Sequence, residues 1–133
     1  MTRLILVFIS VISFSAFAEN NQLDKVKDCT VASLIMGINS DNFGLRTSAA
    51  FMLGELKCEK GVIPLMRMLK SEEREDARIV AALALLKIGN EQGIFAIKQA
   101  IRFDQSDRVR RLCTNFYNVH SEKSTVIGLL ARR

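Results

Sequence analysis

Residues 45–70 read LRTSAAFMLGELKCEKGVIPLMRMLK, and the pattern returns 32 positions later, at 77–102, as ARIVAALALLKIGNEQGIFAIKQAIR. A third start, VRRLCTNFYNVH, begins at residue 109 and the spacing runs on to the C-terminus. Arg46, Arg78 and Arg110 fall in one column, and Ala49, Ala81 and Cys113 in the next, all three small. Leu53, Leu85 and Tyr117 align, as do Leu56, Ile88 and His120. The second half of the unit keeps step through Val62, Ile94 and Val126, then Ile63, Phe95 and Ile127, then Leu65, Ile97 and Leu129. A period of about 30 to 47 residues with two helical segments per unit marks an α-solenoid.

Within a unit, apolar or small residues at Leu45, Ala49, Phe51, Met52, Leu53 and Leu56 have helical spacing. Val62, Ile63, Leu65, Met66 and Leu69 repeat it on a second helix. Gly61 and Gly93 are expected in the turn between the two, where a positive φ costs glycine little. Pro64, the single proline, follows the turn, where its missing N–H is tolerated at a helix start. One hairpin carries too much apolar surface to stand alone, and stacking on the next hairpin buries it.

The pattern resembles the HEAT repeat, in particular the short HEAT-like form of phycobilisome lyases. The matching residues are Asp41, Leu45, Arg46, Ala49, Ala50, Leu53 and Gly54, then Glu73, Ala77, Arg78, Ala81, Ala82, Leu85 and the later Gly89. The third unit keeps Val109 and Arg110 but carries Thr114, Asn115 and Asn118 in place of small or apolar residues. The resemblance implies an all-α fold, a short α-solenoid of about three and a half stacked helical hairpins. It says little about function, since such repeats serve unrelated tasks.

Residues 1–18, MTRLILVFISVISFSAFA, read as a secretory signal peptide, with Arg3 at the start and a small-x-small site at Ala16–Ala18. The alternative is an uncleaved anchor, but a spanning helix needs about 20 apolar residues, and this run is shorter and broken by Ser10, Ser13 and Ser15. A periplasmic or secreted location follows. Without the leader, 18 basic and 14 acidic residues remain, a mild net charge of +4 that suits acidic partners. Nucleic acid is not an expected partner of an exported protein, and no membrane span is expected after cleavage. Residues 19–133 form one domain: a cap helix over 21–39, whose Val31, Leu34 and Ile38 match Val62, Leu65 and Leu69 at an offset of 31, and units at 43–70, 75–102 and 107–131. The last of these ends in a second helix at 121–131, capped by Arg132 and Arg133. Ser71, at the head of the acidic run 71–76, reads as a helix start.

Few residues offer chemistry. His120 is the only histidine and reads as a packing or capping residue at a helix end, so His-pair metal sites and Cys–His or Ser–His catalysis are not expected. HEAT-repeat di-iron hydroxylases use His–Glu pairs and HEAT-like DNA glycosylases use Trp-lined grooves; neither set is present here. No enzyme activity and no cofactor are expected. Arg46, Arg78 and Arg110 read as structural, bonding acids or loop carbonyls of the next unit.

The second helices carry the better surface. Arg67, Lys70, Lys98, Gln99 and Arg102 are its polar positions, and no acid lies between Val62 and Lys70 or between Ile94 and Arg102. This predicts a shallow basic groove for a protein or acidic ligand, against the plainer reading of a solvated face. Cys113 reads as a buried small residue, leaving Cys29 and Cys58 as the candidate disulfide that would clip the cap to the first unit. The leading expectation is an exported, non-catalytic interaction module whose partner is a protein. The alternatives are an accessory or cofactor-handling protein of the lyase-like type, and a structural subunit. For the last, the C-terminal end offers an oligomer contact, because Arg133 falls where Leu69 and Ile101 sit.

Overall fold

The computed structural model describes Asp28 and residues 30–131. The leader over 1–18, the start of the cap helix, Cys29, Arg132 and Arg133 lie outside the described residues. The chain divides into two units, residues 1–32 and 33–133. The first is described only at Asp28 and residues 30–32, which are helical.

The second unit is all helix and loop among its described residues. It opens with the helical residues 33–38 (α1) and continues with α2 (Phe43–Glu55), α3 (Val62–Ser71), α4 (Glu75–Ile88), α5 (Glu91–Phe103) and α6 (Asp107–Leu130). Side-chain caps start three of these helices. Asn42 accepts from Leu45 N–H, Asn90 from Gln92 N–H and Ser106 from Val109 N–H. α4 has no side-chain cap but carries Glu75 and Asp76 in its first turn, at the positive end of the helix dipole. Ser71 does not start that helix. It closes α3 and donates to Arg67 C=O at 2.8 Å.

The helices form two layers. α4 packs on α2 on one side and on α6 on the other, while α3 and α5 pack side by side behind them. Ion pairs report the period directly: Lys87 meets Glu55, and Arg108 meets Asp76 at 2.8 Å, each across 32 residues. Small residues let the backbones approach. A Cβ on Gly54 would lie 2.7 Å from Ala84 Cα, and Ala77, Ala81, Ala82 and Ala84 are buried along α4. Leu53, Leu65, Leu85 and Ile97 are the large, fully buried side chains between the layers, each worth about 1.5–3 kcal/mol of burial. The core stripe is narrower than the sequence predicts, because Leu45, Phe51, Met52, Leu56 and Ile63 are exposed. Helix contact is made through alanine and glycine, and the larger side chains flank it.

The turns also differ from expectation. Gly61 and Gly93 have no left-handed backbone; Gly61 caps α3 at φ −78° and Gly93 lies inside α5. Their role is close approach, since a Cβ on Gly61 would sit 3.2 Å from Leu53 Cδ1 and one on Gly93 3.1 Å from Leu85 Cδ2. The left-handed positions are Lys57 (φ 48°) and Gly89 (φ 73°), again 32 apart. Around Lys57 the helix end is a Schellman motif, with Cys58 N–H donating to Leu53 C=O and Lys57 N–H to Gly54 C=O. Gly89 N–H donates to Leu85 C=O.

The third unit is not a hairpin. α6 runs straight from Asp107 to Leu130. Where the earlier units have Lys57 or Gly89, it has Ser121; where they have Gly61 or Gly93, it has Thr125. Thr125 carries the Cβ that the close approach excludes, and its hydroxyl donates to Ser121 C=O within the helix. The stack therefore holds two closed hairpins, α2–α3 and α4–α5, flanked by α1 and α6. His120 is consequently a half-buried mid-helix residue rather than a helix end.

Candidate functional site

The arginine column is a set of clamps. Arg46 Nε and Nη2 donate to both oxygens of Glu72 at 3.1 and 3.0 Å, and its Nη1 donates to the carbonyls of Ser40 and Asp41. Arg78 repeats this with both oxygens of Asp104 at 3.0 Å and the carbonyls of Glu72 and Glu73. Each guanidinium thus ties the loop before its own unit to a carboxylate 26 residues on, a bidentate geometry suited to arginine. Arg110 keeps the backward contact, donating to Asp104 C=O, but its other bond goes to Asp107 of its own helix instead of a carboxylate further on.

Behind this ladder, α3 and α5 enclose a groove of about 400 Å³. Met66, Leu69 and Lys70 line it from α3, and Phe95, Ala96, Gln99, Ala100 and Phe103 from α5, with Asp104 at its end. Each contribution is a stripe at helical spacing, running from the buried Leu69 to the exposed Phe95 and Phe103. Phe103 is 73% exposed and Phe95 59%. Asp104 is already held by Arg78, so Lys70 is the groove's free-standing charge among its lining residues.

The five polar positions singled out in the sequence are not all brought together. Lys70 and Gln99 line the groove. Arg67 and Arg102 are exposed outside the lining. Lys98 turns toward α6 and lies over the Tyr117 ring at 5.1 Å. The groove is therefore apolar with one basic edge, rather than a basic trough. Sequence reasoning missed Phe95 and Phe103. The available signal was the stripe Phe95, Gln99, Phe103, four apart, lying beside the core position Ile97.

Neither described thiol offers a nucleophile in this groove. Cys113 is fully buried in the column of Ala49 and Ala81, and burial, aided by the nearby Asp104 charge, raises its pKa to about 11. Cys58 is a half-buried free thiol outside the lining. No group of three metal-ligating side chains occurs among the described residues. No described helix is long and apolar enough to cross a membrane.

A family model described as HEAT repeats matches residues 31–115, more than half of the chain. The protein belongs to the HEAT-repeat family. Its matched region covers both closed HEAT hairpins and the start of α6, and it stops before the point where α6 fails to turn. No curated protein matches the chain. HEAT repeats serve as protein-interaction scaffolds, and the two-layer stack with a groove along its second helices has that form.

Proposed function

We propose that this HEAT-repeat protein is an exported, non-catalytic adaptor that holds an amphipathic segment of a partner protein in the α3–α5 groove. The observation that carries the reading is the exposed Phe95–Phe103 stripe facing Met66 across the groove, with Lys70 on the rim. A ligand segment with apolar residues on one face and an acid placed toward Lys70 fits that surface. Arg67 and Arg102, exposed on the same two helices, favour approach of an acidic partner. Export rests on the leader-like residues 1–18.

The test is cross-linking from a photoreactive residue at Phe103 in the protein's own cells. One adduct that disappears with Lys70→Glu and with Phe95→Ser supports the adaptor. An adduct indifferent to both changes removes the groove from the function. The N-terminal mass of the purified protein tests export, with Glu19 as the expected first residue.

The lyase-like, cofactor-handling alternative needs a nucleophile or acid facing the groove. Asp104 lies there, but both of its oxygens are occupied by Arg78. A separate observation favours an assembly role beside the adaptor reading. Val126, Ile127 and Leu130 are exposed on the C-terminal part of α6, an apolar surface that an oligomer contact would cover.

A further inference from the structure

Residues 121–130 have the sequence of a second helix and the position of a first-helix extension. By the 32-residue register, Val126 and Ile127 stand where Ile94 and Phe95 stand, and Gly128 where Ala96 stands. In the closed unit that segment folds back through Gly89, and Gly93 seats against Leu85. In α6 it projects beyond the stack. A Cβ on Gly128 would meet nothing within 4 Å, and Ile127 and Leu130 are each 67% exposed.

The place such a helix would occupy is marked by exposed Lys98 and Arg102 and half-buried Ile101. In the groove, Met66, Leu69 and Lys70 of α3 face α5. Shifted by one repeat, those positions are Lys98, Ile101 and Arg102 of α5, where a third second helix would pack. The molecule thus carries both halves of one contact, an unfilled slot beside α5 and an unpacked helix built in register to fill it. A straight α6 cannot bring its own halves together. A second copy of the chain can supply the missing half, because its α6 is equally extended.

We propose that two copies exchange residues 121–130 reciprocally, each arm completing the third HEAT hairpin of the other across a two-fold axis. Thr125 holds the arm open. It replaces the close-approach glycine of both closed units, Gly61 and Gly93, while Ser121 stands at the left-handed position that Lys57 and Gly89 fill, so the added Cβ disfavours hairpin closure within one chain while closure between chains needs no turn. This deepens the assembly reading above and rests on it.

A pair of single-cysteine chains tests the exchange. Leu85 and Gly93 of the closed hairpin bring Cβ positions to 3.4 Å, close to the ~3.5–4.5 Å that a disulfide spans. Their counterparts are Tyr117 and Thr125, which eight residues of straight helix hold about 12 Å apart. In a background of Cys29→Ser, Cys58→Ser and Cys113→Ala, Tyr117→Cys chains and Thr125→Cys chains are co-expressed and oxidised. Light-scattering mass is measured on the unmodified protein in parallel. Twice the monomer mass, with a Tyr117→Cys to Thr125→Cys cross-linked heterodimer, is the expected result. Ser121→Gly with Thr125→Gly should then shift the protein to monomer.

A dimer without the cross-link overturns the exchange while leaving assembly through another face. A monomer overturns both. A disulfide within one chain, in the variant carrying both cysteines, shows closure in cis and overturns the exchange as well. Circular dichroism of each variant separates these outcomes from misfolding.

Discussion

After Ile88 the chain turns back at Gly89 and lays α5 against α4; thirty-two residues later it passes straight through the equivalent point, and α6 continues. The two units share their opening. Val109 and Cys113 are buried as Ala77 and Ala81 are, and Arg110 stands in Arg78's column. Among the positions where they differ are the turn, Gly89 against Ser121, and the close approach, Gly93 against Thr125. The comparison locates the decision to close a hairpin in the turn and the contact just beyond it. The apolar spacing of the second helix, present in both units, does not make that decision.

The largest expected effect comes from breaking the clamp that only the closed units possess. Arg78 and Asp104 have side chains 11% and 7% exposed, and losing one partner of a buried pair costs about 3–5 kcal/mol. Arg78→Ala should lower the unfolding free energy by that amount, seen as a lower denaturation midpoint. Arg110→Ala, whose partner Asp107 is 90% exposed, should leave the midpoint near wild type. Equal losses at the two sites would mean that the third unit is clamped in solution after all.

Gly93→Thr writes the third unit's residue into the second. The new Cβ would press on Leu85 at 3.1 Å, an overpacking worth about 1–3 kcal/mol. Chemical denaturation should show that loss. A neutral result would mean that the Thr125 side chain does not by itself keep α6 open.

Cys113 sharpens the comparison where the units agree in burial but differ in chemistry. Its pKa is raised from 9.0 to about 11 in the folded protein. The folded state therefore holds its proton more tightly, and stability falls as pH rises through 9 toward 11. Cys113→Ala should flatten that alkaline decline, measured as the unfolding midpoint against pH. A disulfide reagent at pH 8 should modify Cys58 in the native protein and reach Cys113 only on unfolding.

The smallest effect is a gain. Lys57 occupies the left-handed position that Gly89 fills in the next unit, and a side chain there costs about 1 kcal/mol. Lys57→Gly should raise the unfolding free energy by that amount, seen as a higher midpoint. A loss instead would show that the Lys57 side chain makes a compensating contact.

The all-α stack was legible in the sequence because its signal is a period, and every column of the period contributes. Arg46, Ala49, Leu53 and Leu65 each recur in kind. Turn geometry was less legible. Gly61 and Gly93 attract a turn reading, yet the turn residue in the first unit is Lys57, which nothing in its residue type announces. The third hairpin was over-read for a related reason. Val126, Ile127 and Leu129 keep the spacing, but spacing cannot report that Thr125 occupies the space of a missing Cβ. The groove was half legible. Lys70 and Gln99 were visible as polar positions on second helices, whereas Phe95 was visible only as an apolar column of the repeat and Phe103 carried no signal of its own until burial separated the two faces of α5.

The clamps also give the molecule a direction. Arg46 binds forward to Glu72 and Arg78 forward to Asp104, while α6 binds forward to no further described unit. Under a stretching force the links do not share the load equally. The far end of α6, held by no ladder rung, peels first, then the α4–α5 hairpin behind the Arg78 clasp, and last the α2–α3 hairpin. A pulled molecule should lengthen in ordered steps from its C-terminus, as a ratchet releases tooth by tooth.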